Sequence, residues 1–340
     1  MQVNINDAYT MLVDCVLAKL VPFLKGSPGC GKSDLVRKLA NEYNLQLIDL
    51  RLSNCDPTDF SGYPQVDSKT GRSFFCPMST FPLENDPLPA GKNGWLIFLD
   101  ELNAAPPAII ASAYKLILDK QVGDHNLHKN VVLVAAGNLD TDKAYTNKIN
   151  TAMQSRLIHI ELDCQDYKSW LAWAADNQID YRIQAFINFR PEFMNQFDPN
   201  HKDSTFACQR TWEFLSRLIK KYDPLPADKL PLLAGTVSEG IAREFMGFCD
   251  NFKDLVPIPE IIAHPDTARV PEEPSAMYAM AGCLGNHLTA QNGTALMTYM
   301  SRLHIEHQVV ALQMALRRDR ALTAIPAVQG WISKNAARLF

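Results

Sequence analysis

The sequence lacks the features that mark small secreted and metal-binding domains. Its eight cysteines are scattered, and no two of them form a C-x-x-C pair. This pattern excludes a disulfide framework and a cysteine-based zinc site, and it is typical of reduced thiols in the cytosol. The first residues contain no basic segment followed by an uninterrupted apolar run, so we expect no signal peptide.

Long hydrophobic runs and an excess of one charge are also absent. The stretch from Ala8 to Leu24 is interrupted by Asp14 and Lys19, which excludes a membrane span there. A net charge of -4 gives no bulk electrostatic reason to bind nucleic acid or an anionic membrane. With 340 residues, 47% of them hydrophobic, the chain can form one large domain or two. We therefore expect a cytoplasmic globular protein.

Residues 26–33 match the phosphate-loop pattern G-x-x-x-x-G-K-[ST] at every fixed position. Glycines allow backbone conformations that a Cβ forbids, so successive N–H groups can turn toward a polyphosphate. Lys32 would place its charge on the β- and γ-phosphates, and Ser33 would offer a hydroxyl to Mg²⁺. The candidate nucleotide-binding residues are Gly26, Ser27, Pro28, Gly29, Cys30, Gly31, Lys32, Ser33 and Asp34.

The segments on both sides of this loop support nucleotide binding. Residues 21–25 form a short apolar run typical of a strand, although Pro22 restricts it to a strand start or an irregular segment. Downstream, Leu35, Leu39 and Tyr43 recur at helical spacing. A strand, a glycine loop and a helix aim the amino end of the helix at a bound phosphate. The alternative is a glycine-rich turn with an accidental lysine.

Residues 94–101 carry the second strong signal. Five consecutive apolar residues, 95–99, predict a strand buried on both faces, as in a parallel sheet. The strand ends in Asp100 and Glu101, at the edge where open α/β sheets bind ligands. Asp100 can hold the water shell of Mg²⁺, and Glu101 can orient and deprotonate the attacking water. The alternative is a strand that ends in a solvated acidic loop.

Further strands are predicted at 45–50, 131–136 and 158–162. Five strands separated by helices predict an α/β fold, a three-layer domain with a mostly parallel sheet. Asn138 follows the strand at 131–136, so its amide could reach the same γ-phosphate or its water. The alternative is an Asn that serves turn chemistry.

Two further helices are predicted within this domain. The first covers residues 5–19, and the second begins at Pro106 or Pro107, because proline suits the first turn of a helix, and ends near Lys120. The apolar face of the first comprises Leu12, Cys15, Val16 and Leu20, and that of the second comprises Ile110, Ala113, Tyr114, Ile117 and Leu118.

Two insertions are predicted to be hairpins. Tyr63–Val66 and Ser73–Cys76 are short strand candidates around a polar turn, within an excursion over residues 60–86. Residues 121–130 contain Gly123 and could form a smaller hairpin. For residues 60–86 the alternative is a plain surface loop.

Beyond Leu162 the pattern becomes helical. Tyr167, Trp170, Leu171 and Ala174 share one face, as do Ile183, Phe186 and Ile187, and another helix is predicted over 209–222. Five prolines over residues 254–274 predict an extended arm without secondary structure. A last helical region follows at 275–340.

The motif order resembles the AAA+ ATPases, and its detail resembles their MoxR-like branch. The motifs are GSPGCGKS, LIFLDELN, VAAGN and QSRL, in that order. Residues 99–107 are similar to the branch signature DEiNRappp, in which Asn103 and the prolines match while Ala104 replaces the usual Arg. Cys30 stands where Thr is commoner, at a position that contributes mainly its backbone.

The resemblance implies roles for three further residues. Asn138 would be the sensor-1 residue, and Arg156 would be the arginine finger that reaches the nucleotide of a neighbouring subunit. Arg210, early in the helix at 209–222, looks like the sensor-2 arginine of the lid; its alternative is a surface helix arginine. With Glu101 and Lys32, these residues complete the candidate catalytic set, and Ser33 and Asp100 are the candidate metal ligands.

The resemblance also implies an organisation and a function. We expect a nucleotide-binding domain over 1–163 with the hairpin insert, a helical lid over 164–253, a Pro-rich arm over 254–274 and C-terminal helices over 275–340. The expected protein is an ATP- and Mg²⁺-dependent ring ATPase, a hexamer that remodels a partner protein. The partner could carry a von Willebrand factor A domain on a separate chain.

Other nucleotide-binding classes fit the residues less well. A GTPase would carry the guanine-reading motif N-K-x-D, but residues 147–150 end in Asn. A small-molecule kinase would not need Asp100, Glu101, Asn138 and Arg156 in this order. The alternative that stays open is a nucleic-acid-directed AAA+ ATPase, such as a helicase loader or a translocase. An intact Asp-Glu pair disfavours a non-hydrolysing switch.

Overall fold

The structure, a computed structural model, describes residues 1–142, 147 and 149–339, with side chains described as far as Asn335. The chain divides into two compact units. The first comprises Met1–Cys164 with Asp198–Asn200, and the second comprises Gln165–Phe197 and the residues from His201 on. The predicted boundary at 163 lies one residue before this division, and the finer division of the second half stays a proposal.

The first unit alternates strands and helices in the predicted manner. Its elements are β1 (Gln2–Val3), α1 (Ile5–Leu17), β2 (Val21–Lys25), α2 (Lys32–Glu42), β3 (Leu45–Arg51), α3 (Pro57–Ser61), β4 (Tyr63–Val66), β5 (Ser73–Cys76), β6 (Gly94–Asp100), α4 (Pro107–Asp119), β7 (Gln121–Val122), β8 (His125–Asn126), β9 (Val131–Gly137), α5 (Thr151–Gln154) and β10 (Leu157–Leu162).

Among the described residues, six strands form one parallel sheet in the order β1-β10-β2-β9-β6-β3. The five predicted strands are confirmed. The sixth, β1, pairs only Gln2 and Val3 with the end of β10, and two residues carry too little periodicity to predict a strand. Pro22 is the second residue of β2, where it lies opposite Ile158 of β10 and precedes the pairing with β9, so it stands at the strand start as predicted.

Alternate residues of the central strands enter two different cores. In β6, Ile97 and Leu99 pack with the buried face of α4, whereas Leu96 and Phe98 pack with α1 and α2. A strand points successive side chains to opposite faces, so a strand covered on both faces must be apolar throughout. Helices on both faces of the sheet give the three layers that the sequence predicted.

The helix predictions are confirmed with two corrections to their apolar faces. Helix α1 ends at Leu17, so Leu20 lies beyond it and is 49% exposed instead of joining the buried face. In α4 the buried face includes Ile109 and Leu116, while the predicted Leu118 is only half-buried. The period was right, and the face is rotated by about one residue.

Both predicted hairpins are present. Strands β4 and β5 form an antiparallel two-stranded sheet separate from the main one, and β7 and β8 form a second. A bridge between Leu83 and Leu127 joins the segments that follow the first hairpin and the second. The first hairpin is exposed along its length and presents apolar side chains, namely Tyr63, Val66, Phe74 and Phe75.

The second unit is helical in its described part. Its helices are α6 (Tyr167–Asp176), α7 (Tyr181–Phe189), α8 (Gln209–Ile219), α9 (Leu230–Val237), α10 (Glu239–Asp250), α11 (Ile258–Ala263), α12 (Pro274–His287), α13 (Gly293–Met300), α14 (Ile305–Arg318) and α15 (Pro326–Leu339). The predicted apolar faces of α6 and α7 are confirmed, with Trp170 and Phe186 in one core. No described helix of either unit is long and apolar enough to cross a bilayer.

The prediction that residues 254–274 lack secondary structure is wrong. Helix α11 begins directly after Pro257, with Pro259 in its first turn, and Ile261 is completely buried. Proline at the start of a helix costs no hydrogen bond, because those first N–H groups have no intrahelical acceptor. The prolines therefore mark a helix start, and the segment packs on the core of α12 to α14.

A buried ion pair joins α7 to the end of α8. The Arg182 guanidinium donates to both carboxylate oxygens of Asp180 at 2.9 and 2.7 Å, and also to the carbonyls of Ile219 and Tyr222 at 3.0 and 2.8 Å. Both charged side chains are almost inaccessible to solvent. Each buried charge of this ion pair has a partner, so the stability of the second unit depends on both Asp180 and Arg182.

We expect Arg182→Met to lower the free energy of unfolding by about 3–5 kcal/mol, because it leaves the Asp180 carboxylate buried without its partner. Urea unfolding followed by tryptophan fluorescence measures this, since Trp170, Trp173, Trp212 and Trp331 all lie in the second unit. The matched control is Arg217→Met on α8, whose exposed pair with Glu213 should contribute less than about 1 kcal/mol. Equal losses in both variants would contradict the prediction.

Candidate active site

The phosphate loop lies between the end of β2 at Lys25 and the start of α2 at Lys32. Gly29 and Gly31 adopt φ angles of 81° and 87°, in the left-handed region that a Cβ disfavours. Gly26 has a different constraint, because a Cβ there would lie 2.6 Å from the Cys30 sulfur. The loop therefore needs these glycines, and it places the amino end of α2 at the carboxyl edge of the sheet.

Lys32 and Asn138 meet at this edge. The Lys32 Nζ donates to the Gly26 carbonyl at 2.6 Å, to the Ser27 carbonyl at 3.1 Å and to Asn138 Oδ1 at 3.2 Å. Lys25 pairs with Gly137 in the sheet, so the two loops leave adjacent strands at the same height. The sequence predicted that Asn138 would reach the phosphate site, and the structure brings it to the lysine.

The two acidic residues lie at the end of β6, next to β9. Burial raises the pKa of Asp100, and the Glu101 N–H donates to its Oδ1 at 2.9 Å. Glu101 has a φ of 58°, which turns the chain sharply after the strand. Its carboxylate accepts a hydrogen bond from Ser53 Oγ, a contact that no pattern in the sequence predicts.

Ser33 and Asp34 occupy the first turn of α2. Ser33 is half-buried, whereas Asp34 is exposed and accepts from Arg37 Nη1 at 2.9 Å. The Asp34 carboxylate is thus engaged along the helix, and its predicted role in nucleotide binding stays a prediction. Ser33 and Asp100 are hard oxygen donors at one sheet edge, and the desolvated Asp100 carboxylate would gain from a cation, so this donor set fits Mg²⁺.

Asp142 ties the phosphate loop to the segment after β9. Its Oδ1 accepts from Ser27 Oγ at 3.0 Å, and its Oδ2 accepts from the Leu139 N–H at 3.1 Å. Asp142 is buried although it is charged. No local pattern in the sequence points to Asp142, because its partner in the loop lies 115 positions earlier.

Two thiols meet beneath the loop. Cys30 and Cys164 are buried and hydrogen-bonded, with both sulfurs close to Gly26. The hydrogen bond from Cys164 and the nearby Lys32 charge outweigh burial and lower the pKa of Cys30, while its hydrogen bond to Cys30 and burial raise the pKa of Cys164. Cys30 stands at the position where the MoxR-like branch more often carries Thr. Here its side chain contacts Cys164, which lies just after the end of β10.

The two candidate arginines lie in different units. Arg156 is an exposed residue of the first unit between α5 and β10; its Nη1 donates to the Ala152 carbonyl at 2.8 Å, and its guanidinium lies 5.6 Å from the Tyr114 ring centre. Arg210 is an exposed residue of the second unit, in the first turn of α8. Their predicted roles as arginine finger and sensor 2 stay predictions.

Asn103 is the most deeply buried polar residue of this region, at 1% exposure. Its side-chain amide donates to the Asn138 carbonyl at 2.8 Å, and its Oδ1 accepts from the Asn138 N–H at 3.1 Å. In the sequence, Asn103 stands out only as a match to a family signature. The contact joins the segment after Glu101 to the residue that meets Lys32.

Comparison with known proteins agrees with this geometry. Residues 22–157 match the sequence model of the AAA domain (dynein-related subfamily). A midasin from Giardia intestinalis is 28% identical over 163 residues, which is 45% of this chain and 3% of the midasin, so the chain spans a small part of that relative.

The matches among solved structures include the following two proteins, both at low identity and with TM-scores below 0.5. A putative ATPase from Cytophaga hutchinsonii is 14% identical, with 98% of this chain and 89% of that one covered and a TM-score of 0.39. The RuvB Holliday junction branch migration motor of Thermotoga maritima is 16% identical, with 83% and 82% covered and a TM-score of 0.40. The domain match, together with the parallel sheet and its phosphate loop, shows that this chain contains an AAA-type ATPase domain at residues 22–157.

Proposed function

We propose that this chain is an ATP-hydrolysing AAA+ motor of MoxR-like type, which works as a hexameric ring and remodels a partner protein. The observation that carries the proposal is the contact between Lys32 and Asn138. This contact joins two motifs that are 106 positions apart in sequence, at the same sheet edge as Asp100 and Glu101. A glycine-rich turn with an accidental lysine would not be expected to place that lysine against a polar amide and next to two carboxylates.

The roles of the residues follow from charge and position. The loop N–H groups and Lys32 bind the phosphates and offset the charge that develops during transfer. Glu101 takes the proton of the attacking water, and Asn138 orients that water or the γ-phosphate. Mg²⁺, held through Ser33 and Asp100, would supply further charge neutralisation on the phosphates.

Two surface features support assembly and a protein partner. Arg156 is exposed, as a residue that acts on a neighbour's nucleotide has to be. The first hairpin presents Tyr63, Val66, Phe74 and Phe75 to solvent, and grouped exposed apolar side chains are typical of protein contacts. A net charge of -4 also favours a protein partner, such as a von Willebrand factor A domain, over nucleic acid.

The proposal is tested by assembly and by ATPase assays with and without DNA. We expect Glu101→Gln to form a hexamer in ATP and Mg²⁺, measured by size-exclusion chromatography with light scattering, because it binds ATP without consuming it. Lys32→Ala, which loses the phosphate contact, should stay smaller under the same conditions. DNA should leave the wild-type ATPase rate unchanged.

Two results would contradict the proposal. A Glu101→Gln protein that stays monomeric with saturating ATP would exclude the nucleotide-dependent ring. Stimulation of hydrolysis by DNA, falling steeply as salt rises, would instead support the nucleic-acid-directed alternative.

A further inference from the structure

We propose that Asn103 is a positioning residue for ATP hydrolysis: its carboxamide fixes Asn138 against Lys32 and couples it to the segment that carries Glu101. The inference rests on the proposed function, because Asn138 matters for turnover only if the site hydrolyses ATP. Both polar atoms of the Asn103 carboxamide bind the Asn138 backbone, so we expect it to act through Asn138 rather than on the nucleotide.

The carboxamide grips Asn138 at two points. Its Nδ2 donates to the Asn138 carbonyl at 2.8 Å, and its Oδ1 accepts from the Asn138 N–H at 3.1 Å. One donor and one acceptor on a single planar group match the backbone of one residue in one orientation. A carboxylate would lose the donor and an apolar side chain would lose both, so an amide is required here.

This grip begins where the sheet ends. The last residues of β6 and β9 that pair are Leu99 and Ala135, and beyond them Leu102 N–H donates to the Ala136 carbonyl at 2.9 Å. Asn138 has already left its strand, so no regular ladder determines its direction. The hydrogen bonds of the Asn103 side chain replace that ladder at Asn138 and set the direction of the Asn138 backbone.

Gly137 is fitted to the same contact. A Cβ at this position would lie 2.2 Å from Asn103 Oδ1 and 2.8 Å from its Cγ. Such distances are shorter than any non-bonded contact, so a side chain at 137 and the Asn103 carboxamide cannot coexist in this arrangement. The glycine before Asn138 thus has a structural reason that turn chemistry alone does not supply.

The backbone of the Asn103 segment is anchored on its other side as well. The Asn103 carbonyl accepts from the Asn147 N–H at 2.5 Å, and the Ala105 carbonyl accepts from Asn147 Nδ2 at 2.7 Å. With Asn138 Oδ1 accepting from Lys32 Nζ at 3.2 Å, the contacts run from the segment after Glu101 through Asn103 and Asn138 to Lys32. A shift of Asn103 therefore moves Asn138 relative to Lys32.

We expect Asn103→Ala to lower the turnover of ATP by roughly 10- to 100-fold while changing its Kd less than about threefold, because misplacing a group near the reaction costs rate more than binding. The loop backbone and the contacts of Lys32 with Gly26 and Ser27 do not involve Asn103, so nucleotide binding should persist. Single-turnover hydrolysis and titration with a fluorescent ATP analogue measure the two quantities.

The matched control is Asn130→Ala. Asn130 precedes β9 as Asn138 follows it, and its Nδ2 donates to the Asn93 carbonyl at 2.9 Å, just before β6 begins. It therefore links the same two strands at the opposite edge of the sheet. Its loss should lower the unfolding midpoint without changing turnover, which separates a general effect on the sheet from positioning.

A double-mutant comparison tests whether Asn103 acts through Asn138. In an Asn138→Ala background, Asn103→Ala should change turnover by less than about threefold, because its target has gone. Full additivity of the two losses would overturn the inference, and so would unchanged turnover in Asn103→Ala. Absence of ATP hydrolysis by the wild-type chain would instead contradict the proposed function.

A second variant keeps the inference testable if Asn103→Ala does not fold. Asn103→Asp keeps the shape and the acceptor for the Asn138 N–H but loses the donor when ionised. Its turnover relative to wild type should rise as pH falls, because the protonated carboxyl can again donate to the Asn138 carbonyl. A pH-independent ratio would overturn the inference.

Discussion

Replacing Glu101 by Gln is expected to leave ATP bound and to lower turnover by roughly 100-fold or more, the usual contribution of a general base. The amide keeps the size of the side chain and still accepts the hydrogen bond from Ser53. It cannot take the proton of the attacking water. The loop N–H groups and Lys32 are unchanged, so the Kd for ATP should stay within a few fold.

The charge change itself needs a control. Glu42→Gln removes one negative charge from the far end of α2, where the carboxylate accepts from Tyr9 Oη instead of facing the phosphate loop. Its turnover should equal that of the wild type. Single-turnover assays with radiolabelled ATP, together with equilibrium binding, measure both variants. Unchanged hydrolysis in Glu101→Gln would remove Glu101 from the site.

The parts of the fold that could be predicted are those whose signal is local. A strand buried on both faces must be apolar throughout, so β6 and β9 were visible as uninterrupted runs. The phosphate loop was visible because its glycines are required by φ angles within the loop itself. The hairpin β4–β5 was visible as two short runs around a polar turn.

The contacts that could not be predicted depend on which loops meet. Ser53 and Glu101, or Ser27 and Asp142, are far apart in sequence, and no periodicity links one to the other. The prediction for the proline-rich segment was wrong for another reason. Proline favours both turns and helix starts, and only the packing of Ile261 selects the helix. Composition alone cannot distinguish these two outcomes.

Arg156→Ala should lower turnover at least as much as Glu101→Gln does, because an arginine finger contributes about 10³- to 10⁵-fold in related phosphoryl transfer. The exposed guanidinium has only the Ala152 carbonyl and the Tyr114 ring as neighbours among the described contacts. Both contacts lie at an exposed side chain and contribute little to stability, so the variant should unfold close to the wild-type midpoint. Lys129→Ala, an exposed cation just before β9 at the other edge of the sheet, is the matched control and should keep full turnover.

Mixing the two inactive variants tests whether the finger acts on a neighbour. In a head-to-tail ring, a site formed by Glu101 of one subunit and Arg156 of the next is intact when the first is an Arg156→Ala subunit and the second a Glu101→Gln subunit. Random assembly of equal amounts makes about a quarter of the sites intact, so the mixture should regain activity that neither variant has alone. If both residues serve the same subunit's nucleotide, no site in the mixture is complete and no activity returns. Recovered turnover would therefore establish a shared site, and its absence in mixed hexamers would place Arg156 in the site of its own subunit or outside the chemistry.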